Sequence, residues 1–120
     1  MKTITIDLTK FLKFPTSDYI SGRKRGQDAR KTANLDMIDK TDDKVEILIP
    51  KQLIGINISF FLGMFAISIK KLKSEKFNEK YSFNYPNEDT KSLVKPDVNR
   101  GIKEALDERT PLDILFGTNK

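Results

Sequence analysis

The chain has no cysteine, no histidine and no tryptophan in 120 residues. Without cysteine there is no disulfide framework, no thiolate metal site and no thiol nucleophile. Without histidine, the usual zinc-hydrolase ligand sets, a Ser-His-Asp triad and histidine phosphotransfer are excluded within this chain. Acid–base chemistry would rest on Asp, Glu, Lys or Tyr, and no carboxylate pair stands at a recognisable catalytic spacing. No enzymatic activity, metal or cofactor is expected. There is no internal repeat, and the opening MKTITIDL has neither the apolar core nor the cleavage site of a signal peptide.

Long apolar runs are also scarce, with one exception. Residues 53–69, LIGINISFFLGMFAISI, hold seventeen positions without a charge in a chain that is 32% charged. A spanning helix needs about 20 apolar residues. This run is shorter, contains Asn57, Ser59 and Ser68, and is flanked by lysine at both ends, Lys51 and Lys70-Lys71. It reads as the exit of a strand followed by an interior helix from Asn57 or Ile58 to about Leu72, with Asn57 as its N-cap. Phe60, Phe61, Met64, Phe65 and Ile67 cover more than one face of that helix. A soluble, cytoplasmic protein without a membrane contact is expected.

What is plentiful is lysine. The net charge is +5, and it is uneven. Residues 1–86 carry 16 Lys/Arg against 10 Asp/Glu, whereas residues 87–120 carry 6 against 7. The basic part invites an acidic protein face, a nucleotide or a nucleic acid. The densest cluster is Arg23, Lys24, Arg25, Arg30 and Lys31, behind a flexible Ser21-Gly22. These side chains could hold phosphates; alternatively Arg30 pairs with an internal carboxylate and the others form a solvated face. No Gly-rich phosphate-loop pattern accompanies them.

Pattern along the chain gives one α/β domain over residues 1–109, with helices shielding a mixed sheet of four or five strands. Residues 3–8 alternate as a first strand. Tyr19-Ile20 is a short second strand or link. Residues 23–35 form a helix that turns Ala29, Ala33, Leu35 and Met37 inward, with Gly26 weakening it by about 1 kcal/mol relative to Ala. KVEILIP (44–50) reads as a central strand buried on both faces, ended by Pro50. Aromatics at 77, 81, 83 and 85 suit another strand; they serve core and edge packing or, as a rival reading, a stacking platform for single strands. Pro96 opens a last helix over 97–106, with Val98, Ile102, Ala105 and Leu106 on one side. The apolar tail 110–120 is expected to dock on the body or on a partner.

Ser21 to Arg30, a central strand and then Ile54 to Phe65 together resemble the small bacterial STAS-like domains of unknown function, relatives of the anti-sigma-factor antagonists. Arg23 or Arg25, Gly26 and Arg30 match an arginine–glycine–arginine pattern on the first helix, and Ser59-Phe60 a Ser-Phe turn that opens the second. The likeness covers about residues 3–106. Acidic residues usual in that family, at the end of the central strand and one turn after Ser-Phe, are replaced by Ile49 and Gly63, and Pro50 is atypical.

The resemblance implies a STAS-like regulatory or adaptor domain, of bacterial or phage origin, that acts by protein–protein contact. In the anti-sigma-factor antagonists an ATPase-like kinase phosphorylates the serine at that helix start. By this likeness the partner-binding or switch residues are Gly55, Asn57, Ser59 and Phe60. The alternative role of Ser59 is structural, capping the helix or bonding the turn. Two rival functions stand beside the adaptor: a phage or mobile-element inhibitor that occupies a host defence or regulatory protein, and a small nucleic-acid-binding protein using segment 23–31. A homodimer is compatible with either.

Overall fold

The computed structural model describes residues 2–107. The expected tail, 110–120, and the end of the domain at 109 lie outside that range. The element order is β1 (Thr3–Asp7), a 3₁₀ turn (Leu8–Phe11), β2 (Tyr19–Ile20), α1 (Arg23–Ala33), α2 (Leu35–Ile38), β3 (Lys44–Leu48), β4 (Gly55–Ile56), α3 (Ile58–Lys80), β5 (Tyr81–Asn84) and α4 (Glu88–Asp107). This is the expected α/β domain, but the sheet is divided. Three strands form one sheet in the order β1-β3-β5, and β2 pairs with β4 in another. Among the described residues every pairing is parallel rather than mixed.

The division has a local cause. Ile49 still pairs with Asn84 (N–H to O, 3.0 Å), but Pro50 has no amide to continue the ladder. The chain turns, Leu53 N donating to Pro50 O at 3.1 Å, and the next extended residues meet β2 instead. That pair is lengthened by Ile54 N to Asp18 O (2.8 Å) and Asn57 N to Ile20 O (2.9 Å).

Register then sorts the faces of the larger sheet. Ile4, Val45 and Tyr81 stand side by side, as do Ile6, Ile47 and Phe83. These point to the core that α1, α3 and α4 also feed through Ala29, Phe61, Phe65, Val94 and Val98. The opposite face carries Thr5, Glu46 and Ser82, where Glu46 accepts from Thr5 Oγ1 (3.4 Å) and Asn84 Nδ2 (2.8 Å). The sequence expectation of a strand buried on both faces is therefore corrected: only alternate residues of β3 are buried, and its second face is polar. Ile49 is buried beyond the strand's end.

Three helix expectations also change. Phe77 belongs to α3, not to a strand; it stacks on Tyr81 with ring centroids 4.5 Å apart. A separation of four residues fits both a strand's alternation and a helical turn, so spacing alone did not decide it. The last helix begins at Glu88, with Pro96 inside it. Asn87 accepts from Thr90 N at 2.8 Å, and Glu88 and Asp89 fill the first turn, where the helix dipole favours acids. Met37, Ile67 and Leu106, assigned to inner faces, are exposed. No helix among the described residues is long and apolar enough to cross a membrane.

Lys73 interrupts α3 with φ 70° and ψ 167°, a region nearly reserved for glycine. The turn lets Phe77 come back onto the core, where it is fully buried. Lys73→Gly should relieve about 1–3 kcal/mol of backbone strain, less the roughly 0.5–1 kcal/mol that glycine's freedom costs in the unfolded chain. A urea midpoint above the parent's is expected; a lower one would show that Lys73 is not strained.

Candidate functional site

Two glycines set the closest contact in the molecule. A Cβ on Gly26 would lie 2.2 Å from the Phe60 carbonyl oxygen and 2.9 Å from Met64 N; one on Gly63 would lie 2.3 Å from the Arg23 carbonyl oxygen. Backbone meets backbone in both cases, so α1 and α3 touch without side chains between them. The helices diverge from that contact and leave a groove of about 370 Å³. Arg23, Gln27, Lys31 and Asn34 line its α1 wall; Leu62, Ala66, Ile67 and Lys70 line its α3 wall.

Beneath the wall lies a polar network around Arg30, which is 5% exposed. Its Nη1 donates to the Met64 carbonyl (2.9 Å) and Ser68 Oγ (2.8 Å). Nε and Nη2 donate to Asp36 Oδ1 (3.0 and 2.7 Å), and Nη2 also to Asp39 Oδ2 (3.2 Å). All five guanidinium N–H donors are thus engaged. The wholly buried Asp39 carboxylate further accepts from the Ser68 hydroxyl and from Tyr81 Oη at 2.6 Å. Arg30's hydrogen bond and charge hold the Asp36 carboxyl below its ordinary value. Burial, and next the Asp39 contact, raise the Tyr81 phenol, which keeps its proton.

This arrangement separates the five cations that the sequence placed together. Arg30 pairs with internal carboxylates and has no donor left for a phosphate. Lys24 reaches Asp28 at 3.0 Å on the outer surface, and Arg25 is exposed outside the groove. Arg23 and Lys31 do line the groove, joined by Lys70 from α3. The aromatics of β5 face inward: Tyr81 and Phe83 lie 6.0 and 5.5 Å, centroid to centroid, from Phe65. Tyr85 is half-buried, and its phenol is pushed up to about 12 by burial. Among the described residues no cluster of three or more potential ligands could hold a metal.

The second motif folds into the turn between β4 and α3. Ile56 N donates to Asp97 Oδ2 on α4 at 2.9 Å, and Asp97 also pairs with Arg100. Gly55 is required there, since a Cβ would stand 3.0 Å from both that carboxylate oxygen and the Tyr19 ring. Asn57 caps α3 by accepting from Ser59 N at 2.8 Å. The cap is therefore Asn57 and not Ser59, whose hydroxyl has no partner among the described residues. Phe60 is fully buried and offers a partner nothing, while Ser59 is half-buried one turn before Leu62 and Gly63. That spacing places Ser59 on the groove side of α3.

Sequence reasoning missed Asp36, Asp39, Ser68 and Asp97. A serine inside an otherwise apolar run was the one available sign that a polar group waited opposite.

Two variants check this geometry. Helix propensity alone makes Gly26→Ala stabilising by about 1 kcal/mol. The clash with Phe60 reverses the sign, and a loss of about 1–3 kcal/mol is expected from overpacking; a raised melting temperature would rule out the close approach. Asn57→Ala should cost about 0.5–2 kcal/mol as a lost cap, whereas Ser59→Ala should stay within about 0.5 kcal/mol of the parent. Equal losses in both melts would return a structural role to Ser59.

No protein-family model, curated protein or solved structure significantly matches the chain.

Proposed function

We propose that the chain is a non-enzymatic adaptor or regulatory domain that binds a protein partner along the α1–α3 groove, with Ser59 at the groove's mouth. The observation that carries this reading is the exposure of Ile67 (54%) between the basic side chains of Arg23, Lys31 and Lys70. An apolar group with a charged rim is the usual make-up of a protein contact. The STAS-like reading is compatible with the same face: Gly26 and Arg30 of the first motif pack on α3, and Ser59-Phe60 opens it. A phosphate on Ser59 would add about −1.5 to −2 charges beside the helix N-terminus and change what the groove accepts. Nucleic acid fits less well, because Lys24 and Arg25 lie off the groove and no aromatic residue lines it.

A photo-crosslinking residue at position 67 should capture a protein from nuclease-treated lysate, and one at position 24 should not capture it. Arg23→Glu with Lys31→Glu should abolish the capture at an unchanged melting temperature. Capture that ignores the charge reversal would sink the groove as the binding face. A nuclease-sensitive complex whose affinity falls about 10³-fold or more between 50 and 200 mM salt would instead support nucleic-acid binding.

A further inference from the structure

From the same groove we infer the chemistry of its partner: an amphipathic α-helix with an acidic flank, laid along the space between α1 and α3. The inference rests on the groove being the binding face. Four cationic side chains line it against one carboxylate, Asp36. Arg30 is spent on Asp36 and Asp39, so the charge offered outward is that of Arg23, Lys31 and Lys70. The groove is bounded by helix flanks, where backbone amides are already bonded within the helices. It therefore lacks the converging N–H groups with which proteins cradle a bare phosphate. Its floor is Leu62, Gly63 and Ala66, nearly flush, and Ile67 projects from it.

Spacing fixes the occupant further. Arg23 and Lys31 are eight residues apart on α1, about 12 Å along its axis at 1.5 Å per residue. Two acids seven or eight positions apart on a partner helix span the same distance. Between them, apolar residues at i+3 and i+4 would meet Ile67, the pattern of a helix held in a groove. Asp36, kept ionised by Arg30, lies past the C-terminal end of α1 and repels an acid there. That sets the direction in which an asymmetric acidic helix lies.

A displayed library of random peptides of about 16 residues, panned against the full chain, tests the inference. Winners should be helical, carry Asp or Glu seven or eight apart around an apolar pair, and lose at least tenfold in affinity to Lys31→Glu combined with Lys70→Glu. Panning the double variant should return Lys or Arg at those positions. Groove-dependent winners without acids would overturn the acidic helix and leave the groove as the binding face. Winners indifferent to the double variant, or no enrichment at all, would also overturn it, and crosslinking at position 67 then decides the fate of the groove separately. A melting temperature raised by tripolyphosphate and not by any peptide would assign the groove to a small anion and refute the helix.

Discussion

Backbone contact between α1 and α3 at Gly26 and Gly63 governs how the rest of the domain is arranged. With both Cβ atoms missing, the helices approach until carbonyl oxygens and amides touch. That closeness brings Arg30, one turn further along α1, to the Met64 carbonyl and the Ser68 hydroxyl. Any larger residue at either position would lift α1 and draw the guanidinium out of reach of its acceptors. A third glycine repeats the device on the other side of α3: a Cβ on Gly101 would meet the Phe61 ring at 2.3 Å. The central helix is thus held between two neighbours through glycines, and its large side chains are free to fill the space above the sheet.

Once Arg30 is inside, its surroundings must be polar. A buried charge stripped of its partner costs about 3–5 kcal/mol, and here the charge is shared among Asp36, Asp39, Ser68 and a backbone carbonyl. Tyr81 closes the network from β5, so one cluster ties α1, α2, α3 and the larger sheet together. Such a network selects one arrangement of the elements more than it adds net stability. The groove outside follows from it: Arg30 occupies the wall, and the remaining cations are left to face outward.

The turn into α3 is held by a different set of atoms. Asp97 grips the Ile56 amide, Asn57 caps the helix and the β2–β4 pair fixes the approach. Because these contacts use Asn57 and Asp97, the Ser59 hydroxyl is left without a structural task. A partner meeting this edge would find Ser59 on a turn that is already rigid, continuous with the α3 wall of the groove.

The sequence by itself determined the α/β class, β1, β2, the placement of β3, the interior helix with its Asn57 cap, and the exclusion of cysteine and histidine chemistry. Each of these rests on local physics: alternation, capping, proline's missing amide and residue inventory. Only tertiary structure decided the division into two parallel sheets, the polar second face of β3, the sign of Gly26's contribution and the scattering of the basic cluster. Gly26 reads as a weak helix residue until Phe60 is placed 2.2 Å from its absent Cβ. Arg30 reads like its neighbours until Asp39 and Ser68, nine and thirty-eight positions away, come within hydrogen-bond reach. Lys70 joins Arg23 and Lys31 only because two helices distant in sequence lie side by side. A local pattern fixes which way a side chain leaves its own element, and what it meets there depends on packing between elements.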